Sequence, residues 1–418
     1  MTTAWRDPQD SRTAPPSADQ PEILLDISRL VSRVLHKTPT GVDRVELAYA
    51  EGLLREVPER LSFCLVHPTG FYGRIPMETA RTFLQATRAA WAGEIEIPPR
   101  GIARKLHAIK VLWRMRPRRV RTGSGQTRRV LVQSSPHHLH NEPLVRDILR
   151  RERARFVCLI HDLIPIEYPE YARPGGDALH LKRVRTMARL ASAALGNSAA
   201  TLRSFAPHLA AERREIPLHV AHLGLHDDSR PVPRPSAEPY FVCLGTIEAR
   251  KNHLLLLNIW REWVERAGGE PIPKLIIIGR RGWENEQVVD MLDRCPALKG
   301  HVEEMSALTD ADMRAIMAGA CAVLLPSFAE GFGMPVTEAL ALGTPVICSD
   351  LPALREAGGE AADYIHPLDG IGWHNALIEY SAPGSGRRAA QLARMQAWAA
   401  PSWEEHVRIV LKTVEEIA

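Results

Sequence analysis

Residues 321–364, CAVLLPSFAEGFGMPVTEALALGTPVICSDLPALREAGGEAADY, restrict the fold more than any other stretch of the chain. They open on an apolar run at 322–325, short and bounded enough to be a buried strand. A loop at 326–333 follows, bearing Glu330, Gly331 and Gly333. Pro335 is favoured in a first helical turn, so a helix should begin near it, carry Glu338 and stop at Gly343. A second apolar run, 345–348, then reads as another strand. Strand, glycine-bearing loop and helix N-terminus together bind phosphate, because free backbone N–H groups point out of the helix end. Glu330 falls at the loop tip and Glu338 inside the helix.

Two glutamates at this spacing would be commonplace without their surroundings. EGFGMPVTE, preceded by Pro326-Ser327 and followed by EALALGTPVICSD, resembles the E-x7-E signature of retaining GT-B glycosyltransferases of family 4, a group with many bacterial mannosyltransferases. The resemblance implies an α/β fold of two doubly wound, Rossmann-like domains facing across a cleft. It also implies transfer of a sugar from a nucleotide diphosphate to an acceptor hydroxyl, with retention at the anomeric carbon. On it, Gly333, Met334, Pro335, Val336 and Thr337 line the donor diphosphate. Glu330, Gly331 and Phe332 meet the donor sugar, and Glu338 holds the ribose hydroxyls. Glu330 would bind sugar hydroxyls rather than act as a covalent nucleophile, while the leaving phosphate helps take the acceptor proton. The stretch most resembles users of GDP-mannose, although UDP-sugar users share most of its letters.

The rest of the chain has strands alternating with helices in two series, which argues two parallel-sheet domains. Residues 1–20 are polar and contain proline without an apolar core, so they read as a disordered leader rather than a signal peptide. An N-terminal, acceptor-side domain is expected over 21–225. Residues 226–239, rich in proline, serine and charge, read as a stiff linker to a nucleotide-sugar-binding domain at 240–399. Trp403, Val407, Val410, Leu411 and Val414 recur at helical spacing near the end. Family members fold such a helix (here 400–418) back over the N-terminal domain.

Further site residues come from strand ends. The strand YFVCLG at 240–245 leads to Arg250-Lys251 before a helix, which resembles the family's R-K pair. Two fixed cations there would neutralise a departing diphosphate and make a divalent metal unnecessary. An apolar run at 156–160 delivers His161-Asp162, and open α/β sheets place reactive groups at such ends. HDLIP resembles the family's HDL-x-P segment and so makes His161 and Asp162 catalytic candidates facing the cleft; a strand-capping histidine is the plainer alternative. Gly41 corresponds to a flexible acceptor-side loop of the family, or is an ordinary loop residue before a helix starting near Asp43. The family's nucleobase loop maps to Met305 and Ser306, and Ser198 should cap a helix. Asp310 and Asp312 form a DxD, which holds a metal in GT-A transferases. Thr309 before them and a helix after them make them N-cap and first-turn residues instead. No metal and no bound cofactor is expected, and the nucleotide sugar is a substrate.

The net charge of +4 is mild, but its distribution is not. Residues 100–129 hold eleven Lys or Arg and no acid, interleaved with Ile102, Leu106, Ile109, Val111, Leu112, Trp113 and Met115. A basic amphipathic helix suits an anionic membrane surface or an anionic acceptor; a solvated basic face is the alternative. No nucleic-acid-binding module accompanies the charge. His137, His138 and His140 lack carboxylate or cysteine partners at metal-site spacing and read as surface residues. Six scattered cysteines without a CxxC pair suggest reduced thiols and a cytoplasmic protein, peripheral at the membrane through its basic segment. The expected partners are a nucleotide sugar and a lipid-linked or polysaccharide acceptor of bacterial surface glycan synthesis. Three rivals stay open: a GT-B nucleotide-sugar epimerase or hydrolase acting on donor alone, a pyridoxal-phosphate-dependent glycan phosphorylase, and a non-enzymatic membrane protein.

Overall fold

A computed structural model describes residues 20–34, 36, 38–95, 101–118, 128–225, 231–236 and 238–418. Most of the 1–20 leader, part of the linker and residues 119–127 of the basic segment lie outside the described residues. Two sheets organise the chain. The first has seven strands: β1 Glu22–Asp26, β2 Leu61–Val66, β3 Tyr72–Ile75, β4 Arg129–Gln133, β5 Ala154–Ile160, β6 Ala193–Gly196 and β7 Leu218–Val220. The second has six: β8 Tyr240–Leu244, β9 Lys274–Ile278, β10 Val302–Met305, β11 Val323–Leu325, β12 Val346–Ser349 and β13 Asp363–Ile365.

Strand order is β3-β2-β1-β4-β5-β6-β7 in the first sheet and β10-β9-β8-β11-β12-β13 in the second. Both are parallel except for β3, which lies antiparallel to β2 at an edge. Helices cover both faces of such sheets, so their strands are apolar on both sides, as in ARFVCLI and KLIII. Chain order reverses between β1 and β4 in one sheet and between β8 and β11 in the other. Crevices open beyond the carboxyl ends of strands at such reversals, and ligands bind there.

The helix Trp403–Ile417 returns to the first sheet's core. It buries Val407, Val410, Val414 and Ile417 on one face. A Cβ at Gly52 would stand 2.5 Å from Val407 Cγ2, so the glycine is what lets the helix Gly41–Glu56 approach it. His406 bridges Tyr49 Oη at 2.7 Å and the His222 carbonyl at 2.9 Å; burial pushes its pKa down to about 4, which keeps the ring neutral.

Three local expectations need correction. Gly41 is the first residue of a helix and not part of a loop. Thr40 caps that helix while the Asp43 side chain accepts from the Thr40 amide, and this reciprocal box starts it two residues earlier than apolar spacing suggested. The cap of the helix Asp310–Ala318 is Thr309, which leaves Asp310 free for another partner. His137 and His138 are half-buried against each other, with ring centroids 4.1 Å apart, and are not surface residues. Burial takes the His137 pKa down to about 3.

Candidate active site

The second sheet's reversal point gathers the charged residues. A short 3-10 turn after β8 carries Arg250 and Lys251, and the loop after β11 carries Glu330. Asn252 follows in a left-handed conformation, with φ of 55°. Its amide donates to the carbonyls of Pro326 and Pro367, which ties the two loops together. Lys251 Nζ reaches Glu330 Oε1 at 2.6 Å, Ser327 Oγ donates to the same oxygen at 2.7 Å, and Arg250 Nη1 reaches Oε2 at 3.0 Å. Burial alone would raise the Glu330 pKa, but Lys251 and Arg250 outweigh it and take the carboxyl down to about 2. Glu330 is therefore an anion that fixes both cations.

Arg250 also holds buried Glu248 through Nε at 2.6 Å. Its Nη2, and the remaining protons of Lys251, have no protein partner among the described residues and stay available to an anion. Beside them begins the helix Met334–Ala341, entered through Gly333 at a φ of 102° that a side chain would resist. Its first-turn amides add partial positive charge at the end of the Glu330 loop. Val336 and Thr337 are buried, and Thr337 Oγ1 donates back to the Met334 carbonyl at 2.9 Å.

Glu338 lies further along this helix, half-buried, its carboxylate without a hydrogen-bond partner among the described residues. Burial raises its pKa to about 7, with Arg44 opposing that rise and Asp310 adding to it. Arg44 grips Asp310 through two hydrogen bonds of 2.7 Å each, joining the first domain to the second beside Glu338. Gly41, three residues before Arg44, faces the Met334 side chain: a Cβ there would stand 2.8 Å from Met334 Cε.

His161 and Asp162, past the end of β5, form the opposite wall. The His161 Nε2–H donates to the Ser134 carbonyl at 2.7 Å, so a neutral ring presents Nδ1 as its acceptor. Burial depresses its pKa and favours that neutral form. Asp162 Oδ1 accepts from the Ile164 amide at 3.2 Å, and the carboxylate adds to the field that holds Arg250 protonated. A Cβ at Gly331 would collide with the His161 carbonyl oxygen and stand 3.0 Å from Asp162 Cβ. Ser198 Oγ and Thr201 Oγ1 donate to the Gly331 carbonyl at 2.7 and 3.1 Å. Phe332 stacks on His222, whose Nε2 reaches Glu356 at 2.7 Å, and Glu356 also accepts from the Ala199 amide.

The structure thus brings Gly41, His161, Asp162, Arg250, Lys251, Glu330 and Gly331–Glu338 to one cleft. Met305 and Ser306 lie at the end of β10, where the Met305 carbonyl accepts from the Gly279 amide at 2.9 Å and Ser306 is exposed. Ser327, Glu248, Arg44 and Glu356 were missed from sequence. Ser327 carried a signal in its place three residues before Glu330; the others depend on contacts between distant segments. No group of His, Cys, Asp or Glu that could hold a metal occurs among the described residues.

Residues 238–381 match the family model described as glycosyl transferases group 1. O-antigen chain mannosyltransferase B of Escherichia coli is 34% identical over 167 residues, 40% of this chain and 42% of the relative. The serotype-specific mannosyltransferase WbdA of the same species is 27% identical over 54% of this chain and 30% of its own length. The matched segments therefore span less than half of either relative. Two solved structures share the fold over nearly the whole chain. Sucrose-phosphate synthase from Thermosynechococcus elongatus aligns over 95% of this chain and 99% of its own, at 14% identity and a TM-score of 0.61. Anabaena HepE, solved with UDP and glucose, aligns over 95% and 100%, at 16% identity and a TM-score of 0.61.

Proposed function

We propose that this chain, a GT-B glycosyltransferase of the family 4, group 1 type, moves a sugar from a nucleotide diphosphate to a hydroxyl of a glycan acceptor in bacterial surface glycan synthesis. The observation that carries this reading is the Glu330-fixed pair Arg250 and Lys251, with the Met334–Ala341 helix beginning four residues after Glu330. Negative charge grows on a departing diphosphate, and preorganised cations and amides there lower the barrier. In the reaction the bond from the anomeric carbon to the diphosphate oxygen breaks and a bond to the acceptor oxygen forms. The acceptor's proton passes to the departing phosphate on the same face, which gives retention. Asp162 and the Nδ1 of neutral His161 bind hydroxyls on the acceptor-side wall, and Glu338 takes the ribose hydroxyls. Met305 and Ser306 lie along the nucleobase side.

GDP-mannose is the donor we favour, because the EGFGMPVTEALALGTPVICSD stretch most resembles its users and because similar curated proteins are named mannosyltransferases. The two cations take the place of a divalent metal, so protein treated with EDTA should keep its rate. The reading places the enzyme in the cytoplasm, where nucleotide sugars are made. Thermal-shift titration with GDP, UDP, dTDP and ADP tests the donor: the largest stabilisation should come with GDP. A larger shift with UDP would overturn the GDP assignment, and no shift with any of the four would overturn the transferase reading. Sugar release from donor alone, at an unchanged rate when glycan acceptor is added, would favour a hydrolase or epimerase.

A further inference from the structure

The helix Ile102–Arg114 has apolar residues on two opposite faces. One face packs inward: Ala108 and Met115 are buried, with Val111 and Leu112 against the same core. At about 100° per residue, Ile102, Leu106, Ile109 and Trp113 fall within about 60° of one another on the other side. They are 78%, 60%, 61% and 69% exposed. Four large apolar side chains in one exposed stripe are unlike the scattered single residues that soluble surfaces tolerate. Lys105 flanks the stripe on one side, Lys110 and Arg114 on the other, and Arg116 and Arg118 follow, all exposed. Residues 101–118 contain six Lys or Arg and no acid, more positive charge than the net +4 of the whole chain.

The helix is firmly seated. The Leu112 carbonyl lies 3.2 Å from His67 Nε2, just past the end of β2. Arg118 pairs with Arg74 of β3 through backbone hydrogen bonds of 2.8 and 3.1 Å. β2 and β5 are parallel, so the carboxyl end of β2, where the helix is seated, lies on the same side of the sheet as His161 and Asp162.

We propose that this helix docks the protein onto an anionic lipid bilayer. The stripe Ile102, Leu106, Ile109 and Trp113 enters the headgroup–acyl boundary, while Lys105, Lys110 and Arg114 lie at headgroup level on either side. An apolar stripe bordered by cations and free of acids matches a surface that is apolar below and negative above. A second copy of this chain would bring the same cations face to face, which disfavours a symmetric contact. Docking does not depend on the transfer chemistry. Where that chemistry holds as well, the cleft mouth is held close to acceptors embedded in the bilayer.

Co-sedimentation of the purified full chain tests this with phosphatidylglycerol–phosphatidylcholine vesicles and with phosphatidylcholine alone. Binding is expected to the anionic vesicles and to weaken with salt. Leu106→Glu with Trp113→Glu should reduce it by about tenfold or more, since both side chains leave the apolar layer. Ile371→Glu, at an equally exposed apolar residue in the second domain, should leave it unchanged. Both sites are exposed, and an unchanged melting temperature shows that the variants are folded. Three results would overturn the proposal: no binding to anionic vesicles, binding unaffected by the double substitution, or a dimer in solution that the double substitution splits while vesicles stay unbound.

Discussion

Gly331 has no room for a side chain, because the His161 carbonyl of the opposite domain occupies the place of a Cβ. The Glu330-bearing loop of the second domain and the His161 loop of the first therefore meet backbone to backbone, three residues before the start of the Met334–Ala341 helix. Substitution by alanine must push the walls apart, and misplacement of about 1 Å can cost ~100-fold in rate. Gly331→Ala is expected to cut kcat by about that factor while thermal shifts with nucleotide persist. Steady-state kinetics beside calorimetry would check it; an undiminished kcat would mean the walls need not meet.

Glu330 is 8% exposed at its side chain and holds two cations. Removing one partner of a buried pair leaves the other charges uncompensated, at a cost of about 3 kcal/mol. Glu330→Gln should lower the melting temperature by roughly 10 °C and abolish most transfer. Because its pKa is held near 2, this contribution is present at neutral pH and fades as pH falls from about 4.5 toward 2. Melts of wild type and variant that converge near pH 2.5 would agree; a constant gap down to that pH would not.

A carboxyl with the opposite shift sits under the first sheet's reversal point. Glu46 is fully buried, accepts one hydrogen bond from the Leu30 amide at 3.0 Å and leaves Oε2 unpartnered. Burial, with Asp26 nearby, raises its pKa to about 8, so the folded protein binds a proton that the unfolded chain releases. Its stabilising effect is complete below about pH 4.5 and is lost as pH rises through about 8, with a slope of about 1.4 kcal/mol per pH unit. Glu46→Gln should flatten stability between pH 5.5 and 8 and leave the variant the more stable form at pH 8.5. Denaturant midpoints at the three pH values decide it; parallel curves would refute the buried proton.

Asp310 raises the Glu338 pKa, and through Arg44 it also ties the domains together. If ionised Glu338 binds the ribose hydroxyls, donor kcat/KM should climb as pH rises through about 7. Asp310→Asn removes the raising charge and loosens Arg44, so the climb should move to lower pH. A pH–rate profile from 5.5 to 9 with an unmoved rising limb would remove Glu338 from the titrating step.

What could be read from the sequence follows how local each determinant is. The strand, loop and helix around EGFGMPVTE are specified by neighbouring residues, and β11, the Met334–Ala341 helix and β12 appear close to where apolar runs, Pro335 and Gly343 set them. Arg250-Lys251 and His161-Asp162 were legible as strand-end residues because parallel sheets use those ends in one way. Arg44 with Asp310 was not, since the partners are 266 residues apart and either alone is an ordinary surface charge. The half-buried His137 and His138 were misjudged for the same reason: polar letters in a loop say nothing of what packs over them. For the basic segment, sequence gave the charge and the apolar letters, but only the fold separates the face that seals the core from the face left outside.

The seating of the Trp403–Ile417 helix in the first sheet's core bears on the order of events at the ribosome. Domains commonly fold as they emerge, N-terminal first, at about 5–20 residues per second. Here the apolar face of the Gly41–Glu56 helix that Val407 covers waits until the whole second domain has been made. Roughly 180 residues separate β7 from its last covering helix, a delay of about 10 s or more at those rates. During that interval Tyr49 and its neighbours lack their cover, so the first domain is completed by the final helix and not by its own early synthesis.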